Sequence, residues 1–173
     1  MQNLLIIGAG QYGMVAKEIA ESTGEYGKIA FLDDNNPVAI GKISEYAKFC
    51  DEYDSAVVAV GNSDFRLSFI KKLFDAGYKI PKLIHTRAYV SPSAKIGMGS
   101  FVEPMAVVHT DVTIKAGCII SAGVIINHNS VIEEGCHINC GSVVKSGVQV
   151  AARTRSGYCD LFDNDYHHRS VAV

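Results

Sequence analysis

A chain of 173 residues with 48% apolar and 20% charged side chains can bury a real core and is not disordered. Its net charge of −2 gives no footprint for nucleic acid or an anionic membrane surface, and no apolar run is long enough to span a bilayer. Five cysteines (Cys50, Cys118, Cys136, Cys140 and Cys159) and a start without a basic leader set the expectation of free thiols in a cytoplasmic protein.

Leu4 to Ile7 is a continuous apolar run, as expected of a strand buried on both faces of a parallel sheet. Gly8-Ala9-Gly10-Gln11-Tyr12-Gly13 follows it directly. A helix is predicted over Met14–Ser22, with Val15, Ile19 and Ala20 inward, and a second strand over Ile29–Leu32 ends at Asp33-Asp34. Strand, glycine-rich turn, helix, strand and acidic end make a βαβ unit. Glycines let backbone approach a phosphate, and a helix N-terminus offers free N–H groups. Gly8, Gly10, Gln11, Tyr12, Asp33 and Asp34 are therefore candidate ligand residues, although a tight turn alone also calls for glycine. Asp33 stands where an acid would meet a ribose hydroxyl.

Gly41–Cys50 reads as a short helix and Ala56–Val60 as a third strand, ending at Gly61-Asn62-Ser63-Asp64. An amphipathic helix is predicted from Asp64 to Ala76, capped by Ser63, with Leu67, Ile70, Leu73 and Phe74 inward. Lys82-Leu83-Ile84 reads as a last short strand. Residues 1–82 thus form an α/β half-Rossmann domain. It is too short for the two halves a dinucleotide needs, which favours a single nucleotide over NAD.

From Ile84 to Val150 every sixth residue is Ile or Val: Ile84, Val90, Ile96, Val102, Val108, Ile114, Ile120, Ile126, Ile132, Ile138, Val144 and Val150. Four places after each stands a small or modest side chain, such as Ala94, Ser100, Cys118 or Cys136. A period of six fits neither the helix nor a plain strand, but it fits one short strand plus a corner, repeated. Residues 83–155 are expected to form a β-solenoid, and 156–173 a capping tail. Cys118 and Cys136 fall at corner positions, so Cys136-His137 and Cys140 are not expected to hold a metal.

The hexads resemble the left-handed β-helix of the hexapeptide-repeat acyltransferases. Taken with the preceding domain, residues 4 to about 155 are similar to the bacterial sialic acid O-acetyltransferases and UDP-4-amino-sugar N-acetyltransferases. The resemblance implies a homotrimer with sites between neighbouring prisms. It implies a nucleotide-sugar held by Gly8, Gly10, Asp33, Asp34 and the segment Gly61-Asn62-Ser63-Asp64-Phe65-Arg66, with Arg66 as its basic residue. Acetyl-CoA is the implied co-substrate, and no metal is implied.

The same resemblance makes His128 the general base and places His137, nine residues on, near the thioester end. The chemistry suits the residue type, since acyl transfer needs its nucleophile deprotonated and imidazole titrates near neutrality. The family's acid after the base is Asn129 here, which can orient the imidazole but carries no charge. Slower catalysis, another orienting residue (Glu133, Glu134 or Asp111) or lost activity would each be consistent with that change. A backbone N–H near Gly141 or Gly147 is a candidate oxyanion donor. Arg153 and Arg155 are candidates for coenzyme A phosphates or solvated charges, and His109 is a candidate neighbour of His128. Two readings result: an acyl-CoA-dependent sugar acyltransferase, or a non-catalytic trimer that binds a nucleotide-sugar.

Overall fold

The computed structural model describes residues 1–164. Strand and helix alternate at first: β1 (Gln2–Ile7), α1 (Gln11–Thr23), β2 (Tyr26–Leu32), a 3-10 helix (Ile43–Phe49), β3 (Ser55–Val58) and α2 (Ser63–Asp75). The three strands form a parallel sheet in the order β2-β1-β3. Leu4 to Ile7 are fully buried because both faces are covered. Leu4 and Ile6 pack with Ala16, Ile19 and Ala20 of α1, and Leu5 and Ile7 with Phe69, Ile70 and Leu73 of α2. That explains why the run is continuous rather than alternating.

Three local expectations change. Asn62, not Ser63, caps α2: its Oδ1 accepts the Phe65 N–H at 2.8 Å. Phe74 is 60% exposed, and the buried residues of α2 are Arg66, Phe69, Ile70 and Leu73. The helix packs against two surfaces, the sheet and the solenoid edge, so its buried stripe is rotated from the simple amphipathic one. Leu83-Ile84 pairs with Phe101-Val102 and opens the solenoid instead of joining the α/β sheet.

The solenoid is built from two-residue strands: β4 (Leu83–Ile84), β5 (Tyr89–Val90), β6 (Lys95–Ile96), β7 (Phe101–Val102), β8 (Val107–Val108), β9 (Thr113–Ile114), β10 (Ile119–Ile120), β11 (Ile125–Ile126), β12 (Val131–Ile132), β13 (His137–Ile138), β14 (Val143–Val144), β15 (Gln149–Val150) and β16 (Leu161–Phe162). They stack as three parallel sheets, β4-β7-β10-β13, β5-β8-β11-β14-β16 and β6-β9-β12-β15, with partners eighteen residues apart. One coil is therefore three hexads. The hexad Ile and Val residues fill the shaft, where each side chain taken from water contributes about 1.5–3 kcal/mol.

Each hexad has one corner residue in the left-handed region, from Gly99 (φ 65°) through Asn129 (φ 61°) to Cys159 (φ 57°). Its N–H donates to the coil before, as Gly117 does to Met98 O at 2.9 Å, the acceptor being a carbonyl except at Asp111, which donates to Ser93 Oγ at 2.9 Å. The repeat also runs further than the sequence pattern. Ser156 and Phe162 keep the sixfold phase, both are buried, and β16 pairs with β14. Phase survives there without an Ile or Val to mark it. The rest of the expected cap, residues 165–173, lies outside the described residues.

The two halves share a core. Leu83, Phe101 and Ile119 project from the outer face of the β4-β7-β10-β13 sheet and pack in one cluster with Ile19 and Ala20 of α1. Arg66 of α2 is fully buried at the seam. Its Nε donates to Gly117 O at 2.7 Å and Nη2 to Gly135 O at 2.9 Å. Nη1 donates to Val60 O at 2.7 Å and Gly61 O at 3.1 Å. One side chain thus ties the same corner of two consecutive coils to the end of β3. Arg153, paired with Asp64 and Glu134, makes a second, exposed tie.

Arg66→Met would leave four carbonyls without that donor, two of them (Gly117 and Gly135) buried. Urea unfolding is expected to show a loss of at least about 3 kcal/mol, with the helical circular dichroism of the folded state kept. A loss below about 1 kcal/mol would mean that the seam does not depend on the guanidinium.

Candidate active site

The crevice at the strand ends is built around glycines of two kinds. Gly8 has φ +99°, and a Cβ on Gly13 would lie 2.2 Å from Gly8 O, so the fold itself needs both. Gly10 and Gly61 have no such need: neither has a positive φ, both are exposed, and an added Cβ would meet nothing within 4 Å. They leave open backbone at the ends of β1 and β3, beside the start of α1. No side chain caps that helix start, and Gln11 at its first position is exposed. The arrangement fits an anion approaching the backbone.

Asp33 braces this turn. Its Oδ2 accepts the Ala9 N–H at 2.8 Å, and its Oδ1 accepts the N–H groups of Asn35 and Asn36, both at 2.9 Å. Those donors, Ala9 first, hold its pKa below the ordinary carboxylate value. Asp34 is exposed and accepts the Ile43 N–H through Oδ1 at 3.1 Å. Of the two acids, Asp34 is the freer to meet a ligand. Asn36, which sequence reasoning passed over, donates from Nδ2 to Ala9 O at 2.6 Å and completes the brace. Arg66, expected to line the crevice, stands behind it with its donors on four carbonyls. Asn62 is exposed at the rim, with its Oδ1 engaged as the α2 cap.

The turn rests on the solenoid at His137. The Tyr12 ring meets Phe101 edge-on at 5.5 Å and lies 6.3 Å from the His137 ring. His137 Nε2 is 3.2 Å from Ser121 Oγ, while its Nδ1 is buried without a hydrogen bond. Burial, and then the charges of Arg155 and Arg66, lower its pKa to about 4, so the ring is neutral at pH 7. Glu103 lies one coil below Ser121, buried, with Oε2 accepting the Ala122 N–H at 3.0 Å. Desolvation raises its pKa. The buried Tyr12 hydroxyl lies in the field of that carboxyl without the alignment of a hydrogen bond, and burial pushes its pKa well up. Glu103 and Ser121 were not foreseen, although their spacing of eighteen places them in one column once the coil length is known.

His128 and Asn129 lie elsewhere, exposed on the corner between β11 and β12, with His128 Nδ1 3.1 Å from Asn129 Nδ2. Asn129 holds the left-handed corner position, which Asn tolerates better than most residues. His109 precedes this corner by a coil, and its stacking neighbour is Asn127 rather than His128. Gly141 and Gly147 are corner residues of the same kind. Their N–H groups donate to Ala122 O at 3.1 Å and His128 O at 3.0 Å. Both are thus spent on the coil ladder, which corrects the expectation of an oxyanion donor there. Arg153 is committed to its two acids, whereas Arg155 is exposed one coil beyond His137. Among the described residues no group of three or more His, Cys, Asp or Glu is placed to hold a metal, and no helix is long and apolar enough to cross a membrane.

An α/β domain whose glycine-rich turn abuts a three-sided hexad solenoid is the architecture of a hexapeptide-repeat transferase. Residues 3–73 match the model of the PglD N-terminal domain, and residues 93–128 that of the bacterial transferase hexapeptide. The acetyltransferase domain of PglB from Neisseria gonorrhoeae is 30% identical, with a TM-score of 0.67 over 93% of this chain and 85% of that one. Its structure in complex with acetyl coenzyme A is 31% identical over 92% and 84%, with a TM-score of 0.65. PerB from Caulobacter crescentus, in complex with CoA and GDP-perosamine, shares the fold at 23% identity, with a TM-score of 0.77 over 95% and 90%. The chain belongs to the family of hexapeptide-repeat sugar acyltransferases, and its solenoid is their left-handed parallel β-helix. It is an enzyme, an acyltransferase.

The neutral His137 makes stability depend on pH. The unfolded imidazole takes up a proton near 6.5 and the folded one only near 4, so the unfolded state binds more protons between those values. Stability contributed by this group is present above pH 6.5 and is lost as pH falls towards 4. Denaturant unfolding of His137→Asn should show a shallower loss than the wild type across that window. Equal slopes would contradict the burial of a neutral ring.

Proposed function

We propose that the protein transfers an acetyl group from acetyl-CoA to the amine of a nucleotide-linked sugar. The open backbone at Gly10 and Gly61 beside His137 carries this reading, because it joins an anion cradle to the solenoid face. The PglB relative was solved with acetyl coenzyme A, and PerB with CoA and GDP-perosamine, which supports both substrate classes. The nucleotide diphosphate lies against the Gly8–Gly13 turn, with Gln11 and Asp34 at its sides and Gly61 and Asn62 across from it. A cytoplasmic setting goes with the reading, since both substrates are cytoplasmic metabolites.

The reaction needs one proton moved. The sugar amine attacks the thioester carbonyl, and His128 removes its N–H proton as the C–N bond forms. The C–S bond then breaks, and the coenzyme A thiolate takes that proton from the His128 imidazolium to leave as the thiol. For that role Nε2 must carry the lone pair, so the Asn129 amide turns its Oδ1 to accept Nδ1–H. Asn129 is then a neutral orienting group, with its identity set in part by the corner backbone.

His128 and His137 sit on different sides of one prism, so a site containing both draws them from two copies. An apolar column on the β5-β8-β11-β14-β16 face supports such assembly. Tyr89, Ile125 and Leu161 are exposed there, and His128 lies at its edge. We infer a homotrimer that covers this face and seats His128 of one copy near the turn and His137 of the next.

His128→Ala should lower kcat by about 10²- to 10⁴-fold while a nucleotide-sugar still raises the melting temperature. Turnover within about threefold of wild type would assign the base elsewhere. Asn129→Asp should raise kcat by stabilising the imidazolium, and a fall in kcat would mean that the amide is needed for more than orientation. Sedimentation at micromolar concentration should give a trimer; a monomer would remove the two-copy site.

A further inference from the structure

The column at the corner after β4, β7, β10 and β13 is His85, Glu103, Ser121 and Asn139, each eighteen residues from the last. The last three are buried, which is unusual for such side chains on a solenoid rung. Asn139 is satisfied by Ser156, through its N–H to Oγ at 2.7 Å and its amide to the Ser156 carbonyl. Glu103 and Ser121 instead lead to His137; burial raises the Glu103 pKa, and the Ser121 hydroxyl beside that carboxyl opposes the rise. The hydroxyl is 3.2 Å from Nε2, and the carboxylate accepts from Ala122, the residue after Ser121.

We infer that Glu103 sets the proton position on His137 through the Ser121 hydroxyl, holding the ring as its Nε2–H tautomer. An ionised carboxylate can only accept, and a hydroxyl has one proton to give. With Ser121 O–H turned to Glu103, its Oγ accepts Nε2–H from His137. Nδ1 then keeps the lone pair, and it is the buried atom without a partner. Other groups facing the ring are Tyr12 from α1, Arg66 from α2, and Arg155 one coil beyond. The two cations disfavour the doubly protonated ring, so a single proton has to be placed. Glu103 and Ser121 are positioning residues for His137. Their bearing on turnover rests on the proposed reading of His137 as a co-substrate contact.

Glu103→Gln is the isosteric test. Its Oε1 keeps the Ala122 N–H, and its NH₂ then faces Ser121 and donates. The hydroxyl proton must turn to Nε2, and the ring proton moves to Nδ1. Two-dimensional proton–nitrogen NMR of the full chain with ¹⁵N-histidine, assigned through His137→Asn, reads the tautomer directly. The Nε2–H pattern is expected in the wild type, the Nδ1–H pattern in Glu103→Gln, and a mixture in Ser121→Ala. An unchanged tautomer in Glu103→Gln, or, should that variant not fold, an unchanged single tautomer in Ser121→Ala, overturns the inference. Turnover separates this from the reading beneath it. A changed tautomer with unaltered kcat and KM for acetyl-CoA supports the relay and removes His137 as a co-substrate contact.

Discussion

The structure depends on one buried cation. Arg66 has no carboxylate partner among its hydrogen bonds; its charge is met by four carbonyl dipoles, two from the end of β3 and two from solenoid corners. A guanidinium suits the task because its donors are fixed in a plane and can face two domains at once. Removing it costs more than one contact, since the Gly117 and Gly135 carbonyls are buried and have this donor to replace water. The clamp sets where α2 lies, and the shared core around Phe101 and Ile119 sets where α1 lies. Between them they fix the glycine turn over His137.

The solenoid imposes the other constraint. Three hexads per coil oblige the chain to turn every six residues, and from Gly99 to Cys159 each turn takes one residue into the left-handed region. The corner amides are then consumed by the coil before. Gly141 and Gly147 are glycine for this reason, and Asn129 owes part of its identity to it. A residue that departs from a family's catalytic pattern can thus answer a backbone requirement, and the change from acid to amide does not by itself mean lost chemistry. Backbone freed from both demands is found at Gly10 and Gly61, where glycine serves neither conformation nor packing.

How much of this was legible follows from what each feature demands of a side chain. The shaft demands β-branched residues, so the hexads were plain from Ile84 to Val150. Beyond them Ser156 and Phe162 keep the phase with other residue types, and the repeat became invisible while the structure continued. The buried first strand and the βαβ order were readable because a two-sided core needs an unbroken apolar run. The role of Arg66 was not: an arginine on carbonyls and an arginine on a phosphate look alike in a sequence. Phe74 was misplaced because an amphipathic stripe assumes one packing surface, and α2 has two. The column of Glu103 and Ser121 was open to inspection, but only by writing the chain in rows of eighteen.

The central claim is that one site takes His137 and the glycine turn from one copy and His128 from another. It is tested most directly by mixing two variants that the account expects to be inactive, His128→Ala and His137→Ala, refolded together and assayed for acetyl transfer. Sites shared around a closed ring should recover about a quarter of wild-type activity at equal mixing, because some interfaces then receive both native histidines. Mixed trimers with no activity above either parent would contradict the account and place the whole site within one chain.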